Sequence, residues 1–313
     1  MIAGLINFIV GQEKFAGRAE PPDSAALDKR VLPGINQEWA VYIGAGLAVL
    51  VAWWLVQQFD LIGYGLNGVG IVTVLGLVAY GIWRCEATER SRLYAAMILT
   101  SFSIVFWAFF EQAGSSLNLF TDRNVNRVVF GWEIPTSVFQ SVNAIFILLL
   151  GPLFSMLWVR LAAAGREPST PVKFGLGIVQ LGFGFGALYY GAVTASSGLV
   201  GLVWLILGYM LHTSGELCLS PVGLSMITKL SPLRIGGLMM GVWFLATAYA
   251  QYVAALIAKL TGVHGEQAGD GAPGATAMIY GEVFGLIALT AIGVGLGILI
   301  VSPLLRKMMK GIH

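Results

Sequence analysis

Two acidic residues stand inside long apolar stretches of this sequence, where an unpaired charge is costly. Glu216 lies in the apolar run from about Leu199 to Met226, and Glu111 lies in FWAFFEQAGSS at residues 106–116. No Lys or Arg lies in the interior of a predicted membrane span. Each carboxyl group is therefore expected to be protonated, to bind a cation from outside or to meet a partner on a second polypeptide. All three options suit a proton-linked transporter better than a structural bundle.

Side chains one helical turn from these acids could assist them. Trp107 precedes Glu111 at i−4, while His212 precedes Glu216 at i−4 and Ser220 follows it at i+4. A histidine near a carboxylate can relay protons, but a histidine inside a membrane can also be a packing residue. A polar stripe after Glu111 would face either water or another helix. In the first case it would line a pathway, and in the second it would form hydrogen bonds between helices. Its members are Gln112, Ser115, Ser116 and Asn118.

Two further residues are candidates for contact with a substrate. Asn143 lies inside an apolar span, where it either binds substrate or bonds a neighbouring helix. Trp243 also lies well inside a span, away from the membrane interfaces where Trp usually collects. It could form the floor of a pocket or pack in the core.

The composition indicates an all-α, polytopic membrane protein. Of 313 residues, 57% are apolar and 11% are charged, whereas a soluble domain carries about 25% charged residues. Apolar runs of spanning length predict eight membrane helices. They are Glu38–Gln58, Gly63–Trp83, Arg92–Phe120, Pro135–Leu161, Val172–Ala195, Gly198–Lys229, Ile235–Thr261 and Met278–Leu305.

The remaining segments predict the domain organisation. Residues 1–12 are apolar but too short to span a bilayer, and they are expected to be the end of a truncated helix. Residues 13–36 are expected to be an irregular, aqueous linker because they are polar and proline-containing. Residues 37–88 hold the first two spans, and residues 89–313 hold the other six.

The distribution of basic residues predicts the orientation in the membrane. When the loops are alternated across the bilayer, 15 of the 18 Lys and Arg residues fall on one side. The excess of positive charge marks the cytoplasmic side. The linker and the carboxyl terminus are therefore expected in the cytoplasm, and the loop Gly262–Gly274 is expected outside.

Several function classes find no support in the sequence. Cys85 and Cys218 have neither disulfide nor metal-ligand spacing. No phosphate-binding loop, metal cluster or hydrolase motif is present. We expect neither enzymatic activity nor a cofactor, a bound metal or a nucleic-acid partner.

Two long motifs carry a resemblance to a known family. FWAFFEQAGSSLN at residues 106–118 and GELCLSPVGLS at residues 215–225 resemble the seventh- and tenth-helix motifs of the proton-dependent oligopeptide transporters. This POT or PTR family belongs to the major facilitator superfamily. The resemblance extends over the whole chain but covers only the second half of such a transporter. It implies a carboxy-terminal six-helix bundle, preceded by the two extra helices that bacterial members carry between their halves.

The resemblance also implies roles for individual residues. Glu111 is similar to an acid that pairs with a lysine of the other half, and Glu216 is similar to the acid that meets the peptide amino terminus. Asn143 resembles a polar contact to the peptide, whereas Trp107 and Trp243 resemble aromatic residues that line the pocket. Glu111 and Glu216 would couple transport to protons, and Glu216, Asn143, Trp243, Trp107 and Ser220 would bind substrate.

The expected function is therefore proton-coupled symport of di- and tripeptides across a bacterial inner membrane. The partners implied are the peptide, protons, the lipid bilayer and an amino-terminal helical bundle that this sequence lacks. Two alternatives stay open. The chain could be a non-transporting membrane scaffold or assembly subunit, or it could transport another small metabolite within the same family.

Overall fold

The computed structural model describes residues 2–11, 14, 27–195, 198–267 and 273–312. In this part of the chain, eight helical segments are long and apolar enough to cross a membrane, as the sequence predicts. The prediction of an all-α, polytopic membrane protein is confirmed. The chain divides into two compact units, Met1–Gly65 and Leu66–His313, and the division falls within a helix.

The first unit begins with helix α1, Ile2–Gly11. A short antiparallel hairpin, β1 Arg30–Leu32 and β2 Ile35–Asn36, precedes α2, Gln37–Val56. The side-chain oxygen of Asn36 caps α2 by accepting a hydrogen bond from the backbone N–H of Trp39 at 3.0 Å. The predicted irregular linker is thus wrong over β1 and β2, because a glycine with φ +88° at Gly34 allows a tight turn. Residues 13 and 15–26 of that linker lie outside the described residues.

Helix α3, Phe59–Arg84, runs from the first unit into the second. Helix α4, Ala87–Phe110, follows it and ends in a 3₁₀ turn at Glu111–Gly114, after which α5 occupies Ser116–Asn124. The predicted span Arg92–Phe120 lies within the spanning segment Ala87–Asn124, but the α-helix is interrupted by the 3₁₀ turn that begins at Glu111. The break needs no proline, because Ser115 leaves helical geometry at φ −126° and ψ −100°.

Beyond α5, a short hairpin of β3 (Val128–Val129) and β4 (Trp132–Glu133) connects to a 3₁₀ turn at Thr136–Phe139. Arg127 holds this connection together, since its guanidinium lies 2.9 Å from Glu133 and 3.4 Å from Asp122.

The remaining helices complete the second unit. They are α6 Gln140–Ala163, α7 Thr170–Val193, α8 Leu202–Leu230, α9 Gly236–Gln267 and α10 Pro273–Met308. A 3₁₀ turn at Leu233–Ile235 joins α8 to α9. The predicted loop Gly262–Gly274 is helical at both ends, and its residues 268–272 lie outside the described part of the chain.

Helix α7 lies at the centre of this unit and packs most extensively against α10 and then α8. Its buried face is rich in glycine, which lets neighbouring backbones approach closely. Helix α6 lies at the periphery, contains no buried residue and packs chiefly against α8. This arrangement brings polar residues of α6 and α8 together.

Candidate functional site

Asn143 and Glu216 meet across the contact between α6 and α8. The side-chain amide of Asn143 donates a hydrogen bond to Oε2 of Glu216 at 3.3 Å. Both residues are half-buried, and Glu216 occupies the middle of α8. The two residues are 73 positions apart, so only the packing of the helices brings them together.

Thr213, which the sequence analysis did not single out, extends this contact. Its hydroxyl oxygen lies 2.6 Å from Oδ1 of Asn143 and 2.7 Å from the backbone carbonyl oxygen of Tyr209. Thr213 is completely buried. Its position three residues before Glu216 places both on one helix face, and that spacing was the available signal.

The opposite side of α8 is fixed against α7. A Cβ atom added to Gly215 would lie 2.5 Å from the carbonyl oxygen of Gly177, so neither position has room for a larger side chain. Ser214 donates to Oε1 of Gln180 at 2.7 Å, and Gln180 donates in turn to Sγ of Cys218 at 3.3 Å. The backbone that carries Glu216 is thus held by two neighbouring helices.

Glu111 lies at the break between α4 and α5. The carboxylate has no hydrogen-bond or ion-pair partner among the residues that the structure describes. It is half-buried, and a negative charge on it would act on the carboxyl group of Glu216. The two acids therefore belong to one electrostatic neighbourhood, although the structure shows no direct bond between them.

Gln112 secures the break beside Glu111. Its side-chain amide donates to the carbonyl oxygens of Ala108 at 3.0 Å and Ala254 at 3.1 Å, and its Oε1 accepts from Ser116 at 2.6 Å. Gln112 and Ser116 are fully buried. Of the alternatives for the polar stripe, these buried residues therefore fit hydrogen bonding within the protein, with Gln112 reaching another helix at Ala254.

A small cavity of about 150 Å³ opens beside Asn143. Its lining residues come from the break after α4 and from α6 and α8: Phe110, Ala113, Gly114, Gln140, Asn143, Tyr209 and His212. The imidazole of His212 packs against Phe185 at 4.5 Å between ring centroids and forms no hydrogen bond with Glu216. Its buried Nε2 has no partner in the described chain. The geometry favours packing over a direct relay.

The two candidate tryptophans occupy packing positions. Trp107 lies 5.4 Å from both Phe106 and Phe110 between ring centroids. Trp243 is 8% exposed and packs over Gly223 of α8, roughly 10 Å along the helix axis from Glu216 at 1.5 Å per residue. Within the described residues, neither indole forms a hydrogen bond with Asn143 or Glu216.

Ser220 is half-buried and lies one turn beyond Glu216 without a side-chain hydrogen bond to it. Within the described ranges, no group of three or more His, Cys, Asp or Glu residues could hold a metal ion.

Comparisons with known proteins agree with this architecture. A model of the POT family matches residues 1–276. The chain is 34% identical to the uncharacterized transporter YclF of Bacillus subtilis over 100% of its own length and 60% of that relative. It is 31% identical to dipeptide and tripeptide permease A of Cronobacter turicensis, over 98% of this chain and 59% of the permease.

A solved structure is also similar. A crystal structure of a mutant peptide transporter POT in complex with alafosfalin matches with a TM-score of 0.72 and 31% identity, over 99% of this chain and 60% of the other. The chain thus spans about 60% of the length of these relatives, and it corresponds to their carboxy-terminal part. With a family model matched over most of its length, with eight helices of spanning length in its described part and with the two acid-bearing motifs in place, this chain belongs to the POT family of transporters.

Proposed function

We propose that this chain supplies the carboxy-terminal part of a proton-coupled symporter of di- and tripeptides. The observation that carries the proposal is the pair formed by Asn143 and Glu216, an amide and an acid joined at 3.3 Å in the middle of membrane-spanning helices. Glu111 supplies a second acid without a counter-ion among the described residues. The names of similar proteins, which include a dipeptide and tripeptide permease, support a peptide as the substrate.

The chemistry of a peptide fits these groups. Its amino terminus carries an ammonium ion, which binds a carboxylate through charge-assisted hydrogen bonds. Glu216 is the acid for this contact, and the amide of Asn143 holds the carboxylate in place. Ser220, Trp107 and Trp243 are further proposed substrate contacts, although they lie outside the lining of the cavity beside Asn143 and Trp243 packs in the core.

Coupling to protons requires an acid whose charge changes during transport. Glu111 and Glu216 fill this role in the proposal, because each is half-buried and the charge of one acts on the other. A protonated carboxyl group inside a membrane costs little free energy, whereas an ionised carboxylate needs a charged or hydrogen-bonding partner. With two acids in place, the peptide ammonium can neutralise Glu216 while a proton neutralises Glu111, so that peptide and proton cross together.

The peptide carboxylate needs a cation that this chain does not supply near Glu216. The basic residues of the sequence lie at the ends of the spans or in the connections. A second helical bundle, the amino-terminal bundle of such a transporter, would provide the cation and the opposite wall of the pathway. It would also cover the half-buried Glu111, Ser115, Asn143 and Glu216, whose exposure to lipid is costly.

The placement in the cell is part of the same proposal. The excess of Lys and Arg in alternate connections orients the carboxyl terminus toward the cytoplasm of a bacterial inner membrane. Residues 37–88 form the two-helix insertion, residues 89–313 form the six-helix bundle, and the chain acts as a transporter component and not as an enzyme.

Competition for uptake tests the substrate class. Proteoliposomes that contain this chain together with an amino-terminal bundle should take up a labelled dipeptide under an inward proton gradient. Unlabelled di- and tripeptides should compete, whereas nitrate should not. Competition by nitrate with no effect of peptides would contradict the proposal.

A further inference from the structure

The orientation of the Asn143 amide decides how it interacts with Glu216. An asparagine side chain has an NH₂ end that donates and an oxygen end that accepts. In the structure, Nδ2 faces Oε2 of Glu216 at 3.3 Å, whereas Oδ1 faces the hydroxyl of Thr213 at 2.6 Å. The reverse orientation would place two acceptor oxygens against each other whenever Glu216 is ionised.

Thr213 is the group that can select between these orientations. Its hydroxyl has one proton, and two acceptors lie within reach: Oδ1 of Asn143 at 2.6 Å and the carbonyl oxygen of Tyr209 at 2.7 Å. When the proton goes to Asn143, the amide must present its NH₂ end to Glu216. When the hydroxyl donates its proton to Tyr209, its oxygen can accept a hydrogen bond from Nδ2 of Asn143. The amide can then rotate so that Oδ1 faces Glu216.

The surroundings favour the first arrangement. Thr213 is fully buried, so bulk water does not compete for its hydroxyl. The carbonyl oxygen of Tyr209 competes for the hydroxyl proton from within the same helix, as i−4 carbonyl groups do for many Thr side chains. Glu216 opposes this competition, because its Oε2 accepts from Nδ2 of Asn143 and so leaves Oδ1 to the hydroxyl. The contact to Asn143 is the one that crosses between helices, and it lies at the short end of the O–H···O range.

We propose that Thr213 is a positioning residue for substrate binding. Its hydroxyl locks the Asn143 amide with the NH₂ end toward Glu216, and Asn143 in turn fixes the Glu216 carboxylate for the amino group of the substrate. This inference rests on the proposed function for its effect on transport. The fixed orientation of the Asn143 amide, in contrast, follows from the geometry of Thr213, Asn143 and Glu216 and does not depend on the proposed function.

The locked amide is tested in the purified full chain. The protein is labelled with ¹⁵N-asparagine and studied by NMR in detergent. The side-chain NH₂ signal of Asn143 is the one that disappears in the Asn143→Asp variant. We expect Thr213→Val, which keeps the shape but removes the hydroxyl, to shift this signal. Thr213→Ala should do the same if the valine variant fails to fold, and Thr213→Ser should keep the native position.

A matched control lies on the same helix. The hydroxyl of Thr228 bonds only carbonyl groups of its own helix, at Ser225 and Leu224, and the residue is exposed. Thr228→Val should leave the Asn143 signal in place. An unchanged Asn143 signal in the folded Thr213→Val or Thr213→Ala variant would overturn the inference.

Transport gives the second readout. In proteoliposomes with the amino-terminal bundle, Thr213→Val should raise KM for a dipeptide with a free amino terminus by about tenfold, the scale of one hydrogen bond to a charged group. The maximal rate and the KM for an amino-blocked peptide should change less, and Thr213→Ser should restore the native value. An equal loss for both peptides would contradict a role in positioning. If even the unaltered protein takes up no peptide while the Asn143 signal responds as expected, the proposed function fails and the locked amide stands.

Discussion

The side-chain amide of Gln112 donates a hydrogen bond to the backbone carbonyl of Ala254, across 3.1 Å and between two different helices. The same amide bonds Ala108, and its oxygen accepts from Ser116. These bonds satisfy a fully buried side chain at the break beside Glu111. Gln112 is therefore the residue that keeps the end of α4 in register with α9.

Replacement of Gln112 should reveal this role. Gln112→Leu removes all of these bonds and leaves the buried hydroxyl of Ser116 without its partner, at a cost of about 1–3 kcal/mol. We expect a lower midpoint of thermal unfolding in detergent. Gln251→Leu, at an exposed position on α9, is the matched control and should change the midpoint little. Equal midpoints for the two variants would contradict the bracing role.

The break itself shows where sequence reasoning stops. The long apolar runs predict eight spans because each is long enough to cross a bilayer. The run around Glu111 contains no proline, however, and the end of α4 depends on Ser115 and on bonds from Gln112 to a distant helix. Local propensity carries no information about such tertiary bonds.

The candidate site divides in the same way. Glu111 and Glu216 could be predicted from the sequence alone, because an acid in an apolar run is energetically costly. The bond between Asn143 and Glu216 depends on how α6 and α8 pack, and Thr213 becomes visible only through its distance to Asn143. For Trp243, the sequence could not show that the ring packs over Gly223.

The close approach of α7 and α8 leads to a second prediction. A Cβ atom at Gly215 would lie 2.5 Å from a backbone oxygen of Gly177, so Gly215→Ala must push the helices apart. Overpacking of this kind costs about 1–3 kcal/mol, and the shift would also move Glu216. At Gly186 of α7, an added Cβ would meet no atom of another element within 4 Å, so Gly186→Ala should be neutral or slightly stabilising. The midpoints of thermal unfolding of the two variants in detergent measure the difference in stability. An unchanged midpoint for Gly215→Ala would contradict the tight contact.

The orientation in the membrane can be checked by labelling. Cysteines placed at Trp132 and Arg166, both exposed, should react with an impermeant maleimide from opposite sides of the bilayer. The native Cys85 and Cys218 are first replaced by Ala. Cys85 would react slowly in any case, because burial, and then the negative charge of Glu89, raise the pKa of its thiol. Labelling of both positions from the same side would contradict the proposed topology.

The role of Glu216 makes a prediction about substrate chemistry. Glu216→Gln keeps the shape of the side chain and removes its charge. In a complete transporter, this change should weaken binding of peptides with a free amino terminus by at least tenfold, since a charge-assisted bond of roughly 1.5–3 kcal/mol is lost. Amino-blocked peptides should lose much less. Competition binding with a matched pair of free and blocked dipeptides provides the measurement, and an equal loss would assign Glu216 to structure or to proton movement.

The central claim is that this chain supplies one wall of a proton-coupled peptide pathway. The most direct measurement is dipeptide uptake into proteoliposomes under an inward proton gradient, with this chain alone and with a co-expressed amino-terminal bundle. We predict uptake only when both are present, with loss of gradient-driven uptake in Glu111→Gln. Uptake by the chain alone that Glu111→Gln abolishes would contradict the need for a second wall. The absence of gradient-driven peptide uptake from the combined proteins would contradict the transport function itself.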